Sequence, residues 1–583
     1  YKGAEFYKDR VKHERYLKTG DKPLYDDGDI NKLRTEMSIE SEDVLVENVS
    51  NNIFYLEAPT GSGKTITSLN LALRTMELTK DSNKLFYVFP FNTLIEQTSD
   101  VLLKDIFKDV KSIENDISII NSITPIKISG EHSLDDINYE KALLDRQFIH
   151  YPIVLTTNVS FFDYLFGTGR QETFPLLHLT NSVVVLDEIQ SYKNSIWKEF
   201  IQFLEKYSEL LNIKFIIMSA TLPRLDKLIE GECSSIYLIK DRNKYFKNKL
   251  FKNRVSIDYA MLNGEKMDEE QLLDKIEEVY IDNKEEKGNT NKILVEFMKK
   301  NTAIRMYKKI KERIGPEVFL ITGDDNKLER KKVINKVKNL DDCILVSTQV
   351  IEAGVDIDMD IGFKDISILD AEEQFLGRIN RSCKKTNCKA YFFNLDDINK
   401  LYKKDYRTTK KITLNNSEMQ KILIDKDFDL YYDNVLKNIN SDKDSLNRGV
   451  SMDNFISKVS DLNFYEVKKY MQLIDSSKMS SIFFARDIEF DGNIISGKDV
   501  WNNYKDLLIN KTLGYAEKQV KLSNLREKID LFTYQVYDFK NITDYNDEIG
   551  GLKYIEEGDL YFTDGKFDRE KYSVELNGSY NIY

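Results

Sequence analysis

Short runs of apolar β-formers alternate with longer amphipathic stretches over the first 400 residues, and this alternation restricts the fold more than any other feature. The first series is IFYLEA from Ile53, LFYVFP from Leu85, IVLTT from Ile153, VVVLDE from Val183 and FIIMSA from Phe215. The second is ILVEF from Ile293, VFLITG from Val318, CILVSTQV from Cys343 and ISILD from Ile366. A strand apolar at nearly every position is buried on both faces, and such strands separated by helical patterns predict a parallel sheet covered by helices. Two α/β units in tandem follow. Between them, IKDRNKYFKNKLFKNR reads as a polar, basic linker and MDEEQLLDKIEEVY as a solvated helix. Beyond about residue 400 the chain is rich in Tyr, Asn, Lys and Asp, with late β runs such as SSIFFARDIEF, which predicts an accessory α+β domain. The expected boundaries are a lead-in segment over 1–40, a first unit over 41–238, a linker and charged helix over 239–290, a second unit over 291–400 and the accessory domain over 401–583.

A chain of 583 residues exceeds what one core can organise. Its net charge of −12 argues against a protein that coats nucleic acid through a broad basic surface, so any such grip is local. No apolar run approaches the roughly 20 residues that span a bilayer, and YKGAEFYKDR lacks an apolar signal core. The expectation is a cytoplasmic chain with no membrane partner. Of the cysteines Cys233, Cys343, Cys383 and Cys388, only the last two are close, in CKKTNC, without a second pair or a nearby histidine. Reduced thiols are expected rather than zinc ligands or disulfides.

The strand IFYLEA runs into APTGSGKT and then into the helical pattern ITSLNLALRTMEL. In that order, the loop from Thr60 through Gly61, Ser62, Gly63 and Lys64 presents backbone amides and a positive helix end to a phosphate chain. Lys64 reaches the β and γ phosphates and the Thr65 hydroxyl holds Mg²⁺, which makes ATP and Mg²⁺ the expected ligands. Ala58 occupies the first glycine position of the strict pattern. After the strand SVVVL come Asp187 and Glu188. Alone, such a pair is more often a solvated turn. With a phosphate loop upstream, Asp187 is expected to bind the metal and Glu188 to orient and deprotonate the attacking water.

IIMSATLP places Ser219 and Thr221 at another strand end. QFLGRINR contains Gln374, Gly377, Arg378 and Arg381, the two arginines spaced i, i+3 as on one helix face. Presented across a cleft, they would stabilise transition-state charge, with Gln374 beside them. STQVIEAGVDID puts Thr348, Gly354 and Asp356 where two lobes would meet, able to touch both nucleotide and a nucleic-acid backbone.

In this order over residues 58 to 381, these motifs resemble those of superfamily 2 helicases. With PFNTLIEQT and TTNVSFFDYLF added, the chain resembles the CRISPR-associated helicase-nuclease of type I interference systems. The resemblance implies two RecA-like parallel-sheet domains and an ATP-driven motor moving 3′ to 5′ on single-stranded DNA after recruitment by the Cascade surveillance complex. It implies phosphate-loop roles for Lys64 and Thr65, metal and water roles for Asp187 and Glu188, and coupling through Ser219 and Thr221. The trans-acting arginines are then Arg378 and Arg381. Backbone contacts to DNA fall on Asn92, Thr93, Thr156, Thr157 and Thr348. Asn92 stands where many superfamily members have arginine. Hydroxyl and amide contacts to phosphate carry no base information, so the grip is expected to be sequence-independent. Arg34, in INKLRTEM, is a candidate adenine contact.

The family's nuclease rests on a histidine-aspartate constellation. The four histidines here, His13, His132, His150 and His178, are none of them followed by aspartate. The expectation is that an HD nuclease is a separate partner or was lost from the front of a longer chain, as the initial Tyr1 suggests. Two other readings stay open at this point: an RNA helicase of the same superfamily, and a non-hydrolysing, nucleotide-gated scaffold that recruits a nuclease.

Overall fold

The computed structural model describes residues 30–108, 110, 112–128, 138–229, 235–262, 266–287, 291–315, 317–352, 354–397, 402, 405–441, 452–473, 479–490, 492–537, 544–563, 565–569 and 571–572. Most of the lead-in segment, with His13, His132 and Cys233, lies outside them. Cys343, Cys383 and Cys388 are free thiols. Among the described residues, no helix is long and apolar enough to cross a membrane.

The first lobe is built on β1 (Ile53–Glu57), β2 (Lys84–Phe89), β3 (Ile117–Ile120), β4 (Ile153–Thr157), β5 (Ser182–Leu186), β6 (Lys214–Ser219) and β7 (Ile236–Tyr237). They form one parallel sheet in the order β3-β4-β2-β5-β6-β1-β7. β1, β5 and β6 are buried at every position because helices cover both faces. The helix Lys64–Leu78 lays Leu69, Ala72, Leu73 and Met76 into the core at helical spacing. Leu69, Leu73 and Met76 each contribute about 1.5–3 kcal/mol by leaving water. Register aligns the chemistry: Glu57 pairs with Ser219 and Leu186 with Ile217, so β1, β6 and β5 end level along one carboxyl edge. β6 therefore lies between the phosphate-loop strand and the acid-bearing strand, which are not direct neighbours.

The second lobe contains β8 (Ser256–Asp258), β9 (Asn291–Glu296), β10 (Val318–Ile321), β11 (Asp342–Ser347), β12 (Ile361–Asp365) and β13 (Lys389–Phe393), in the order β10-β11-β9-β12-β13-β8. Two expectations need correction. ISILD is not a strand; β12 precedes it as IGFKD, and Leu369 already begins the helix Leu369–Leu376. IGFKD escapes an apolar scan because it buries Lys364 and Asp365. Nor is the charged helix merely solvated. Over Glu269–Lys287 it sends Leu272, Leu273, Ile276 and Val279 into the second-lobe core, while Glu269 and Glu277 pair with Arg305 and Arg313 at 2.7 Å on the outer side. The stretch before it also supplies β8 to the sheet edge.

The chain divides into two compact units. The first holds residues 1–120, 151–320 and 337–473, and so contains both lobes except for short segments. The second holds residues 121–150, 321–336 and 474–583. The segment 401–583, expected as one accessory domain, is thus shared between them. In the second unit, β14 (Met479–Phe484), β15 (Asp487–Phe490), β16 (Asn493–Ser496), β17 (Thr533–Tyr537), β18 (Asp547–Ile549) and β19 (Leu552–Ile555) give a mixed sheet β17-β14-β19-β18 and a hairpin β15-β16. Its core gathers Phe483, Trp501, Phe532 and Tyr554. Arg486 pairs with Glu329 at 2.8 Å within the same unit.

Candidate active site

β1 leads into the phosphate loop at the carboxyl edge of the first sheet. Gly61 and Gly63 have φ of +86° and +85°, a region that strains any residue with a Cβ. Gly63 caps the helix Lys64–Leu78, so the free first-turn amides gather at the loop. Lys64 Nζ donates to the carbonyls of Ala58 at 3.0 Å and Pro59 at 3.4 Å. Burial pushes its pKa down, and the nearby Glu188 and Asp187 carboxylates pull it back up. Ser62 Oγ is buried without a hydrogen-bond partner, and Thr65 is partly exposed on the first turn.

Two distant arginines brace this loop. Arg34 donates to the Gly61 carbonyl from Nε at 2.9 Å and from Nη2 at 2.6 Å. Its guanidinium, considered from sequence as an adenine contact, is here engaged with the loop backbone. Arg254 Nη1 donates to the Thr60 carbonyl at 2.9 Å. Sequence reasoning missed Arg254, because it sits in a basic stretch that reads as linker and no local spacing distinguishes it.

Asp187 and Glu188 follow β5, and Glu188 adopts φ 49° and ψ 51°. A left-handed glutamate is uncommon, and strain of this kind gathers at functional sites. Asp187 is buried and its Oδ1 has no hydrogen-bond partner. Burial, then Glu188, lifts its carboxyl well above the usual range, and Lys64 opposes them. A buried oxygen lacking a donor is costly, and a hard divalent cation satisfies that kind of acceptor, so the residues present fit Mg²⁺. Glu188 Oε2 accepts from Gln190 Nε2 and, at 3.3 Å, from Gln374 Nε2 of the second lobe.

The SATLP segment joins the same network. Ser219 Oγ donates to Gln190 Oε1, and Thr221 N donates to Ser219 Oγ at 3.0 Å. Thr221 Oγ1 donates to Asp370 Oδ1 of the second lobe at 2.9 Å. Gln190 thus carries two contacts that the LDEIQ motif alone did not reveal.

The two arginines do not share a helix face, contrary to the i, i+3 expectation. The helix ends at Leu376 with Gly377 as its C-cap, and the chain then crosses to a bridge between Met359 and Ile379. Both arginines face the STQVIEAGVDID loop. Arg378 is buried, donating from Nε to the Ile351 carbonyl at 3.0 Å and from Nη2 to that of Glu352 at 2.5 Å. Burial and then Arg381 press its pKa down, while Glu188 pulls it up. Arg381 Nη1 donates to the Val355 carbonyl at 3.2 Å. The lobes approach closely here: a Cβ on Gly61 would lie 3.4 Å from the Arg381 carbonyl, and one on Gly377 would lie 2.4 Å from Thr60 Cγ2.

Gly354, with φ +73°, faces the PFNTLIEQT segment: its Cβ would lie 2.3 Å from Thr93 Oγ1, and its carbonyl accepts from Gln97 Nε2 at 2.6 Å. Asp356 pairs with Arg381 at 3.4 Å and Lys338 at 2.9 Å. Asn92 is exposed and Thr93 partly exposed at the start of the helix Asn92–Asp100. Thr156 is fully buried and donates from Oγ1 to the Ile120 carbonyl at 2.6 Å. Thr157 is partly exposed and caps the helix Asn158–Phe166, while Thr348 is buried at the start of a 3₁₀ turn.

Two family models match in succession, DEAD/DEAH box helicase over residues 36–228 and the C-terminal region of CRISPR-associated nuclease/helicase Cas3 over residues 289–384. The CRISPR-associated nuclease/helicase Cas3 of Methanothermobacter thermautotrophicus is 27% identical over 344 residues, covering 56% of this chain and 38% of that protein. The putative CRISPR-associated nuclease/helicase Cas3 of Methanocaldococcus jannaschii is 25% identical over 424 residues, covering 67% of this chain and 55% of that protein. The chain therefore spans about half or less of these relatives. The crystal structure of T. fusca Cas3-ADP aligns with a TM-score of 0.60 at 13% identity over 91% of this chain and 69% of that one. The AMPPNP form gives 0.58 at 12% identity, over 89% and 67%. The structural likeness shows a shared fold, and the sequence matches bear out the resemblance carried by the motifs.

Proposed function

We propose that this chain, a member of the Cas3 helicase family, is the ATP-driven motor of a CRISPR defence system and moves 3′ to 5′ along single-stranded DNA. The single observation that carries the hydrolytic part is the position of Glu188. It sits beside the buried, unpartnered Asp187 oxygen on one lobe and accepts a hydrogen bond from Gln374 on the other. A nucleotide-gated scaffold that never hydrolyses has no need of that arrangement.

The loop amides from Gly61 to Lys64 bind the phosphate chain, and Lys64 moves its ammonium from loop carbonyls to the terminal phosphates. Asp187 and the Thr65 hydroxyl would hold Mg²⁺, which neutralises phosphate charge when bound. Glu188 orients a water for in-line attack on the γ-phosphate and accepts its proton. Arg378 and Arg381 stabilise the charge that spreads over the transferred group, a role worth about 10³–10⁵ in rate for an arginine finger. Ser219 and Thr221 transmit the change to the second lobe. Asn92, Thr93, Thr157 and Thr348 are the proposed backbone contacts to DNA. Thr156 joins them only if its hydroxyl leaves Ile120.

Recruitment by Cascade and strand cleavage by an HD nuclease outside this sequence complete the reading. The test is ATPase activity stimulated by single-stranded DNA or RNA, together with strand displacement on duplexes carrying 3′ or 5′ overhangs. DNA stimulation and unwinding from a 3′ overhang are expected. Stimulation by RNA alone would transfer the chain to the RNA helicases, and no turnover under any condition would favour the scaffold.

A further inference from the structure

Buried hydrogen bonds also join the lobes through residues outside the phosphate loop and the acid pair. Asp370, in the first turn of the helix Leu369–Leu376, accepts from Thr221 Oγ1 at 2.9 Å and from Arg407 Nη1 at 3.0 Å. The same Nη1 donates to the main-chain carbonyl of Gln190 at 2.8 Å. Asp405 takes the other side of the guanidinium, from Nη2 at 2.7 Å and Nε at 3.0 Å. Asp370 and Arg407 are only 2% and 4% exposed. An arginine donating from all three nitrogens fixes its partners in a fork that a lysine does not reproduce.

What the fork holds is the junction of LDEIQ with SATLP. Arg407 fixes the Gln190 backbone, while the Gln190 side chain bridges Ser219 Oγ and Glu188 Oε2. Thr221, fixed by Asp370, donates its amide back to Ser219. Relative to apolar packing a buried ion pair often contributes little net stability, but its directional bonds fix the geometry of the groups it joins.

We propose that Asp370 and Arg407 form a clamp across the lobes that positions Glu188 for hydrolysis. Both are positioning residues rather than catalytic ones, and the proposal rests on the reading of the chain as an ATP hydrolase. The clamp explains why a residue more than two hundred positions further along the chain is buried against the backbone of Gln190, two places after Glu188. Arg407 lies past the second-lobe sheet, so closure of the lobes and the placement of Glu188 are tied to this segment as well as to the motor motifs.

The experiment compares the parent chain with Arg407→Lys, Asp370→Asn, Thr221→Val and Thr221→Ser. It measures kcat and KM for ATP with single-stranded DNA, binding of a fluorescent ATP analogue, and Tm. Arg407→Lys, Asp370→Asn and Thr221→Val are expected to lower kcat by about 10–100-fold, the scale of a slight misplacement of a catalytic group. KM and analogue affinity stay within about twofold, since binding equally strong in ground and transition states is untouched. Thr221→Ser retains the hydroxyl and most of kcat. The near-isosteric Thr221→Val keeps the test decisive if the charge variants fail to fold. Parental kcat in Thr221→Val at parental Tm overturns the clamp, as does a loss in kcat that merely follows the folded fraction. A parent that binds the analogue but never turns over overturns the hydrolase reading itself, and the clamp with it.

Discussion

Gln374 Nε2, on the second lobe, stands 3.3 Å from Glu188 Oε2 at the tip of β5 on the first. This bond crosses the cleft at the group proposed to activate water, so the proposed general base is held by both lobes. Gln374→Ala should lower DNA-stimulated kcat by about 10–100-fold while ATP KM changes by less than about threefold. Glu188→Gln should abolish turnover and leave nucleotide binding intact. Steady-state kinetics with a binding titration separate the two effects. A Gln374→Ala enzyme whose KM rises while kcat holds would make Gln374 a nucleotide-binding residue instead.

The close approach of Gly377 to Thr60 across the lobes offers a suppressor test. Gly377 has ordinary helical dihedrals, so alanine brings no backbone strain there. Its Cβ would nevertheless lie 2.4 Å from Thr60 Cγ2, well inside contact distance. Gly377→Ala should therefore hold the lobes apart and cost at least about tenfold in kcat. Thr60→Ser removes that methyl while keeping the hydroxyl, and the double variant should recover part of the loss, because Thr60 Cβ and the Gln374 carbonyl oxygen stay 3.0 Å from the added Cβ. Equal activity of the single and double variants would show that the methyl is not the obstacle.

Legibility from sequence followed how local each cause is. β1, β5 and β6 were readable because helices bury them on both faces, which forces apolar residues at nearly every position. The phosphate loop was readable because Gly61 and Gly63 answer a local demand for positive φ. β12 was not, because its polar residues find buried partners only in the fold: Lys364 meets Glu352 at 2.8 Å, and Asp365 accepts from the Leu395 amide at 2.8 Å. The loop contact of Arg34, and Arg254 and Arg407 altogether, were hidden for the same reason. They reach carbonyls 27, 194 and 217 residues away, and no spacing rule spans such distances.

Arg34 provides a test of loop bracing. Its two bonds to the Gly61 carbonyl are charge-assisted, a class worth about 1.5–3 kcal/mol each in favourable settings. Arg34→Ala should loosen the loop and raise the ATP KM by about tenfold or more, with a smaller change in kcat. GTP, CTP and UTP measured beside ATP distinguish bracing from base recognition. A uniform loss across the four nucleotides supports bracing, and a loss confined to ATP restores Arg34 as an adenine contact.

A final prediction concerns pH and the buried cluster behind the STQVIEAGVDID loop. Lys364 Nζ is fully buried and faces Glu296, Glu352 Oε1 at 2.8 Å and Glu372 Oε2 at 3.8 Å. Three carboxyls around one ammonium leave excess negative charge in a buried site. Burial pushes Glu372 from an ordinary 4.5 up to about 8, although Lys364 opposes the shift. Between those values the folded chain binds a proton that the unfolded chain has released, so this contribution to stability is full at low pH and is lost as pH rises through about 8. Glu372→Gln cannot ionise, yet its side-chain oxygen still accepts from the Ser367 amide, a bond of 2.6 Å in the parent. The variant should therefore lose less Tm than the parent between about pH 6 and pH 9, with the difference building up to about pH 8 and levelling off above it. Thermal melts across that range decide the matter: a constant offset between the two proteins would mean that Glu372 is already ionised in the folded state at neutral pH.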